Sequence, residues 1–154
     1  MNPLKLETQL VQIGNRSEEA TGTVSAPVYF STAYRHSGIG ESTGYDYTRT
    51  ANPTRTILEK AMAELEDGDQ AFATSSGMAA IQVILSLFNQ GDELIVSRDL
   101  YGGTYRLFEE GWKRWGLNFH YVDPRCIQEV EKRINPRTKA IFIETPTNPL
   151  MQET

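Results

Sequence analysis

Apolar residues follow two regimes along the chain. From residue 54 onward they alternate between helical spacing and short continuous runs; before it they keep no sustained period. Ile81, Ile84, Leu85 and Phe88 recur at i, i+3, i+4 and i+7, which predicts a helix with one buried face. The apolar run Ala71-Phe72-Ala73, of strand length, precedes them, and the small residues Thr74-Ser75-Ser76-Gly77 sit where strand would turn into helix. Upstream, Thr54 is placed to cap a helix carrying Ile57, Leu58, Ala61, Met62 and Leu65, closed by Gly68. Downstream, Glu93–Ser97 and Asn118–Val122 read as strands. Residues 102–114 read as one helix with Leu107, Phe108, Trp112 and Trp115 on one side. Ile127, Val130 and Ile134 mark a short helix stopped near Asn135-Pro136, and Ala140–Ile143 is an apolar run ending at Glu144. Strands alternating with helices, with runs buried on both faces, predict an α/β domain on a parallel sheet of about four strands.

The first 53 residues differ. Leu6, Leu10 and Ile13 predict a short helix within residues 4–14, ended by Gly14. Residues 15–50 are rich in Gly, Ser, Thr and Tyr, a long stretch to leave without structure inside a compact domain. Tyr29, Phe30, Tyr34, Tyr45 and Tyr47 make it aromatic, unlike a disordered tail. It reads as an arm that packs on another body, such as a neighbouring subunit, or as a functional loop. The expected organisation is an N-terminal arm and inter-subunit loop over 1–53, followed by an α/β domain over 54–154. The alternation stops at Leu150–Thr154 without a closing element, so the chain reads as the front part of something longer.

Composition narrows the function classes. The 154 residues are 39% hydrophobic and 23% charged, enough for a real core. A net charge of −5 offers nucleic acid no basic face. Cys126 is the single cysteine, which rules out a disulfide frame. His36 and His120 lie far apart and read as surface or structural residues, and no ligand spacing suggests zinc, so no metal is expected. No apolar run reaches membrane-span length, and Met1–Glu7 lacks the basic-then-apolar pattern of a secretion signal, so the expected location is the cytoplasm.

Four clusters carry candidate chemistry. At Ser75-Ser76-Gly77-Met78 a helix start offers unpaired amides and a partial positive charge; serines can cap it or bind an anion, and Gly77 admits a ligand close to the backbone. Simple capping remains open for this turn alone. In Tyr45-Asp46-Tyr47-Thr48-Arg49, Arg49 is a bidentate phosphate binder with Tyr47 beside it, or a surface arginine in a helix-entry loop. Asp99-Leu100-Tyr101-Gly102-Gly103-Thr104 and Glu144-Thr145-Pro146-Thr147-Asn148-Pro149 both follow strand ends, where open α/β sheets bind ligands. Tyr101 offers a stacking face and Asn148 a polar contact. Together the clusters favour a phosphorylated, aromatic cofactor. No P-loop pattern and no Gly-x-Gly-x-x-Gly after a strand competes with that.

These motifs resemble, in order and spacing, the N-terminal part of the pyridoxal-phosphate enzymes of cysteine and methionine metabolism, the cystathionine γ-synthase group. Residues 45–55, 75–81, 99–106 and 144–149 carry the likeness. Residues 14–27, Gly14-Asn15-Arg16-Ser17 through Ala26-Pro27, point to the kind that also acts as an O-acetylhomoserine thiolyase. The resemblance implies the large domain of a fold-type-I pyridoxal-phosphate enzyme, incomplete here, with pyridoxal 5′-phosphate as cofactor. It implies that Ser76, Gly77 and Met78 hold the phosphate. Tyr101 would stack on the ring and act as the catalytic and substrate-contacting residue, and Asn148 would contact the ring hydroxyl. Tyr47 and Arg49 would reach the phosphate of a neighbouring subunit's cofactor, while Asp46 and Arg106 would face the substrate. The implied activity is γ-replacement on an activated homoserine ester with cysteine or sulfide, giving cystathionine or homocysteine in methionine biosynthesis. The implied assembly is a homotetramer of dimers that share active sites. Gly103 departs from the cysteine that methionine γ-lyases carry there, but does not separate synthase from cystathionine γ-lyase. The lysine that anchors the cofactor is expected beyond residue 154. Lys5, Lys60, Lys113, Lys132 and Lys139 read as surface groups in the arm, in helices or before a strand. The chain alone is therefore expected to be inactive. Two alternatives stay open: a lyase of the same family, and an incompetent fragment that binds phosphate or dimerises.

Overall fold

A computed structural model describes residues 4–15 and 18–154. Met1–Pro3, part of the stretch that lacks a secretion-signal pattern, and Arg16-Ser17, within the segment that points to the thiolyase kind, lie outside the described residues. The chain divides into two compact units, Met1–Ala73 and Thr74–Thr154.

In the second unit, strand β1 (Glu93–Ser97) runs between β2 (Asn118–Val122) and β3 (Thr138–Phe142), all parallel, in the order β2-β1-β3. Every residue of β1 is buried. A central parallel strand is covered on both faces, so it takes a continuous apolar run. Alternation sends Leu94 and Val96 to one core with Leu85, Leu100, Phe108 and Leu117, and Ile95 to another with Val122 and Val130. Phe108 anchors the larger core, stacked on Phe119 at 4.4 Å between ring centroids and edge-on to Phe142 at 5.4 Å.

Four expectations for this region need correction. Ala71–Ala73 forms no strand, and among the described residues the sheet has three strands. No ladder takes its backbone donors; the Ala73 amide donates to Glu59 Oε1 at 2.9 Å instead. The run at 138–142 is an edge strand whose burial alternates, because Ala140 and Phe142 face the larger core while Lys139 and the half-exposed Ile141 point to the opposite face. Lys139 lies inside this strand rather than before it. The single helix expected over 102–114 is three pieces: helix α4 (Gly102–Arg106), a π-helical turn (Leu107–Gly111) and a 3₁₀ turn (Trp112–Trp115). A π turn is wider than an α turn and a 3₁₀ turn tighter, so the face rotates, and Trp115 ends 77% exposed instead of buried. Gly116 closes the segment at φ +90°, a left-handed cap where a Cβ would come within 2.5 Å of Gln90 Cγ.

The first unit holds α1 (Leu6–Gln12), the arm and α2 (Pro53–Leu65). Within α1 the apolar face exists as a pattern, but Leu6 and Leu10 are more than half exposed. Asn52, not Thr54, caps α2, because Pro53 occupies the first helical position. Asn52 Oδ1 accepts from the Thr54 amide at 2.8 Å, and Nδ2 lies within hydrogen-bond distance of Tyr29 O, Tyr34 Oη and Thr48 Oγ1. Thr54 Oγ1 accepts from the Tyr29 amide at 2.9 Å. Two arm segments also meet directly: Ala33 bridges antiparallel to Tyr47, Tyr34 N–H donates to Asp46 O, and Thr48 N–H donates to Thr32 O. The arm is thus tied without regular secondary structure, and it leaves Phe30 and Ile39 almost fully exposed.

Candidate functional site

Helix α3 (Gly77–Leu85) begins where its sequence puts a cap. Ser76 is in extended backbone, and its Oγ accepts from the Ala79 amide at 3.1 Å. That satisfies one of the four orphan donors of a helix start. The amides of Gly77 and Met78 have no acceptor among the described residues. Space is open there, since a Cβ on Gly77 would meet nothing within 4 Å beyond its chain neighbours and its own helix backbone. The Ser76 hydroxyl keeps its own proton to donate. Two amides, one hydroxyl and the positive end of the helix dipole face an open mouth, a donor set suited to a phosphate.

One strand-end segment touches this helix, and a second is tied to the first. Thr104 Oγ1 in α4 lies 3.9 Å from Met78 Sδ, a weak hydrogen bond that ties α4 to α3. Tyr101, just before α4, is 47% exposed, so its ring remains available as a stacking face. That ring lies over Gly103: a Cβ there would stand 2.4 Å from Tyr101 Cε1. The Tyr101 amide donates to Glu144 Oε2 at 3.0 Å, and the Asn148 amide donates to Glu144 Oε1 at 2.9 Å. The Asn148 side-chain amide has no partner among the described residues and is exposed. Met78, Tyr101 and Asn148, singled out on separate motifs, are therefore linked by contacts in one unit. Arg106, the last residue of α4, is exposed without a carboxylate partner among the described residues.

The remaining expected residues belong to the first unit. The Arg49 guanidinium sits 4.8 Å from the centroid of the Tyr47 ring, a cation–π contact, and no carboxylate among the described residues pairs with it. An exposed, unpaired guanidinium is free to take an anion. Asp46 differs: its carboxylate accepts from Ser42 Oγ at 2.8 Å and lies 2.7 Å from His36 Nε2. Those two contacts, Ser42 first, hold it below the usual carboxylate range. Of the lysines, Lys113 pairs with Glu109 at 2.6 Å, and Lys60 and Lys132 lie within helices.

Two features have no clear signature in the sequence. Glu144 is one; its only signal is that it opens the Glu-Thr-Pro-Thr-Asn-Pro motif directly after a strand. The other is Glu93 at the start of β1, buried and met by His120 Nε2 at 2.7 Å, Asn135 Nδ2 at 2.8 Å and Arg137 Nε at 2.6 Å. These donors, Asn135 first, depress its carboxyl to about 2. His120 is thus structural, as expected.

Known proteins are similar to this chain in sequence and fold. The sequence profile of the family described as Cys/Met metabolism PLP-dependent enzyme matches residues 7–154. The cystathionine gamma-synthase/O-acetylhomoserine (thiol)-lyase of Bacillus subtilis (strain 168) is 67% identical over 148 residues, covering 96% of this chain and 40% of that protein. The cystathionine gamma-synthase of Haemophilus influenzae is 60% identical over 149 residues, again covering 96% of this chain and 40% of that protein. Among solved structures, cystathionine gamma-lyase from Lactobacillus plantarum complexed with L-serine superposes with a TM-score of 0.92 at 46% identity, covering 98% of this chain and 39% of that one. The chain thus spans about 40% of the length of the curated relatives it matches.

Proposed function

Because the chain belongs to the Cys/Met metabolism PLP-dependent enzyme family, whose cofactor is pyridoxal 5′-phosphate, we propose that it supplies the front of an enzyme performing γ-replacement on an activated homoserine ester. The incoming nucleophile is cysteine or sulfide, and the product cystathionine or homocysteine, for methionine biosynthesis. The organisation that goes with this is an arm and inter-subunit loop over 1–53 and the first part of the cofactor domain over 54–154.

One observation carries the assignment: open amides at Gly77 and Met78, the exposed Tyr101 ring and the free Asn148 side chain are tied together by Met78–Thr104 and Glu144 contacts. These groups fit a phosphorylated pyridine. When bound, the cofactor supplies an electron sink for charge released at the substrate α-carbon. This chain's residues bind and orient. Ser76, Gly77 and Met78 donate to the phosphate, the face of Tyr101 packs against the ring and meets substrate, and Asn148 donates to the ring hydroxyl. Tyr47 and Arg49 serve the phosphate of a neighbouring subunit's site, in a tetramer of dimers; the unpaired guanidinium and the exposed apolar arm support that. Arg106 and Asp46 face the substrate, Arg106 toward a carboxylate. The choice of ester is supported by the 67% identical relative, named for O-acetylhomoserine. A family C–S lyase is the second reading, favoured by the likeness to a cystathionine gamma-lyase structure.

The test is an absorption titration of the purified chain with pyridoxal phosphate, then borohydride and intact mass. Saturable binding without a single fixed lysine is expected, together with no turnover of O-acetylhomoserine and cysteine by the chain alone. One uniquely fixed lysine would overturn the view that the anchor lies elsewhere, and no binding would overturn the cofactor site.

A further inference from the structure

We infer that Glu144 is the positioning residue of this site: its carboxylate sets the distance between the segment that carries Tyr101 and the one that carries Asn148. The inference rests on the proposed cofactor site and assigns a residue to it that touches neither ring nor phosphate.

Glu144 stands just beyond β3, and its own amide donates to Ser97 Oγ at 3.3 Å, where Ser97 is the buried last residue of β1. The backbone of Glu144 is therefore fixed to the central strand. Its two oxygens then divide: Oε2 takes the Tyr101 amide at 3.0 Å and Oε1 takes the Asn148 amide at 2.9 Å. Among the described residues no other hydrogen bond joins 99–104 to 144–149. Both bonds are charge-assisted, which makes them stronger than neutral ones. They act on backbone, so they hold the chain at the two positions while leaving the Tyr101 ring and the Asn148 side chain free.

The chemistry of a carboxylate is specific to this task. It is acceptor-only, with two equivalent oxygens, and here it faces two donors. Glutamine keeps one acceptor and turns the other into a donor, which opposes the amide in front of it. Aspartate retains both acceptors on a stem one methylene shorter and cannot span both amides from the same backbone position. Glu144→Gln should therefore release one segment, and Glu144→Ala both. The phosphate end of the site, built by Ser76, Gly77 and Met78, depends on neither bond.

The experiment measures backbone amide exchange by NMR, with affinities for pyridoxal phosphate and for inorganic phosphate, on the chain and the Gln and Ala variants. Losing a charge-assisted bond should speed exchange by about tenfold or more at the released amide. We expect one of the Tyr101 and Asn148 amides to respond in Glu144→Gln and both in Glu144→Ala, while the amide of Ile95 in β1 stays protected, which reports that the fold is intact. Pyridoxal phosphate affinity should fall by about tenfold, the equivalent of one such bond, and inorganic phosphate affinity should not change. Unchanged exchange at both amides in Glu144→Ala overturns the clamp. Faster exchange with unchanged pyridoxal phosphate affinity, or an equal loss for both ligands, overturns the positioning role. If the unmodified chain binds no pyridoxal phosphate, the cofactor assignment fails and takes the ligand half of the inference with it, while the exchange pattern still decides whether Glu144 holds the two segments.

Discussion

The two ends of strand β1 treat hydrogen-bonding groups in opposite ways. At its start, the buried Glu93 carboxylate is met by His120, Asn135 and Arg137. Past its end, the amides of Gly77 and Met78 lack acceptors, the Tyr101 ring is half exposed and the Asn148 side chain has no partner among the described residues. The first end has spent its polar groups on itself. The second holds them in reserve, and Glu144 keeps the reserve in place by taking up backbone amides rather than side chains. Stability and ligand capacity are thereby separated along one strand of five residues.

That contrast can be broken most severely at Glu93. Glu93→Gln removes a buried charge from three donors and turns one acceptor into a further donor, so among these substitutions it should give the largest loss of thermal stability, read as the unfolding midpoint. If the ends are independent, pyridoxal phosphate affinity of the folded variant should not move. Acid sharpens the point. The folded carboxyl sits at about 2 against an ordinary 4.5, so its contribution is full above the ordinary value and is lost as pH falls from there through about 2. Asp123, also held at about 2, chiefly by Arg125, adds to the same acid limb. The checkable quantity is therefore the difference between the stability–pH profiles of Glu93→Gln and the unmodified chain, which should shrink as the pH falls through that window.

Ser76→Ala should have a smaller effect, and on both properties at once. Loss of the cap costs about 1 kcal/mol in chemical denaturation, and loss of the hydroxyl donor should weaken inorganic phosphate binding. A variant that lost stability alone would make the α3 start an ordinary cap. Gly103→Ala should have the smallest effect on stability, because the position lies in the first turn of a short helix, and the nearest atoms a Cβ there would meet belong to the Tyr101 ring. Displacing that ring should lower pyridoxal phosphate affinity while inorganic phosphate affinity holds; equal affinities for both proteins would show that the ring position does not matter.

Much of this is legible in the chain. β1 and β2 follow from the sequence because each holds three β-branched, aliphatic or aromatic residues, Leu94 to Val96 and Phe119, Tyr121 and Val122, between turn signals. The α3 start is readable because Ser-Gly before a helical period is a local signal, complete within a few residues. The failures are non-local. Ala71–Ala73 is apolar and of strand length, but a strand is a partnership, and the Ala73 amide goes to Glu59. Trp115 keeps helical spacing with Trp112 and Phe108, yet the π and 3₁₀ turns move it out of phase. Thr54 and Asn52 are both good caps, and the prolyl ring at 53 decides between them. Glu144 cannot be found from spacing, since its role depends on an amide 43 residues earlier.

Asn52 has a consequence for how the first unit meets proteases. One side chain reaches residues 29, 34 and 48 and also caps the helix that follows. Cleavage requires a segment to detach far enough to enter a protease cleft, and here several segments are detained by the same amide. The arm should resist digestion as a whole and yield as a whole: Asn52→Ala would expose the neighbourhoods of Tyr29, Tyr34 and Thr48 together, and new fragments would appear as a group rather than one after another.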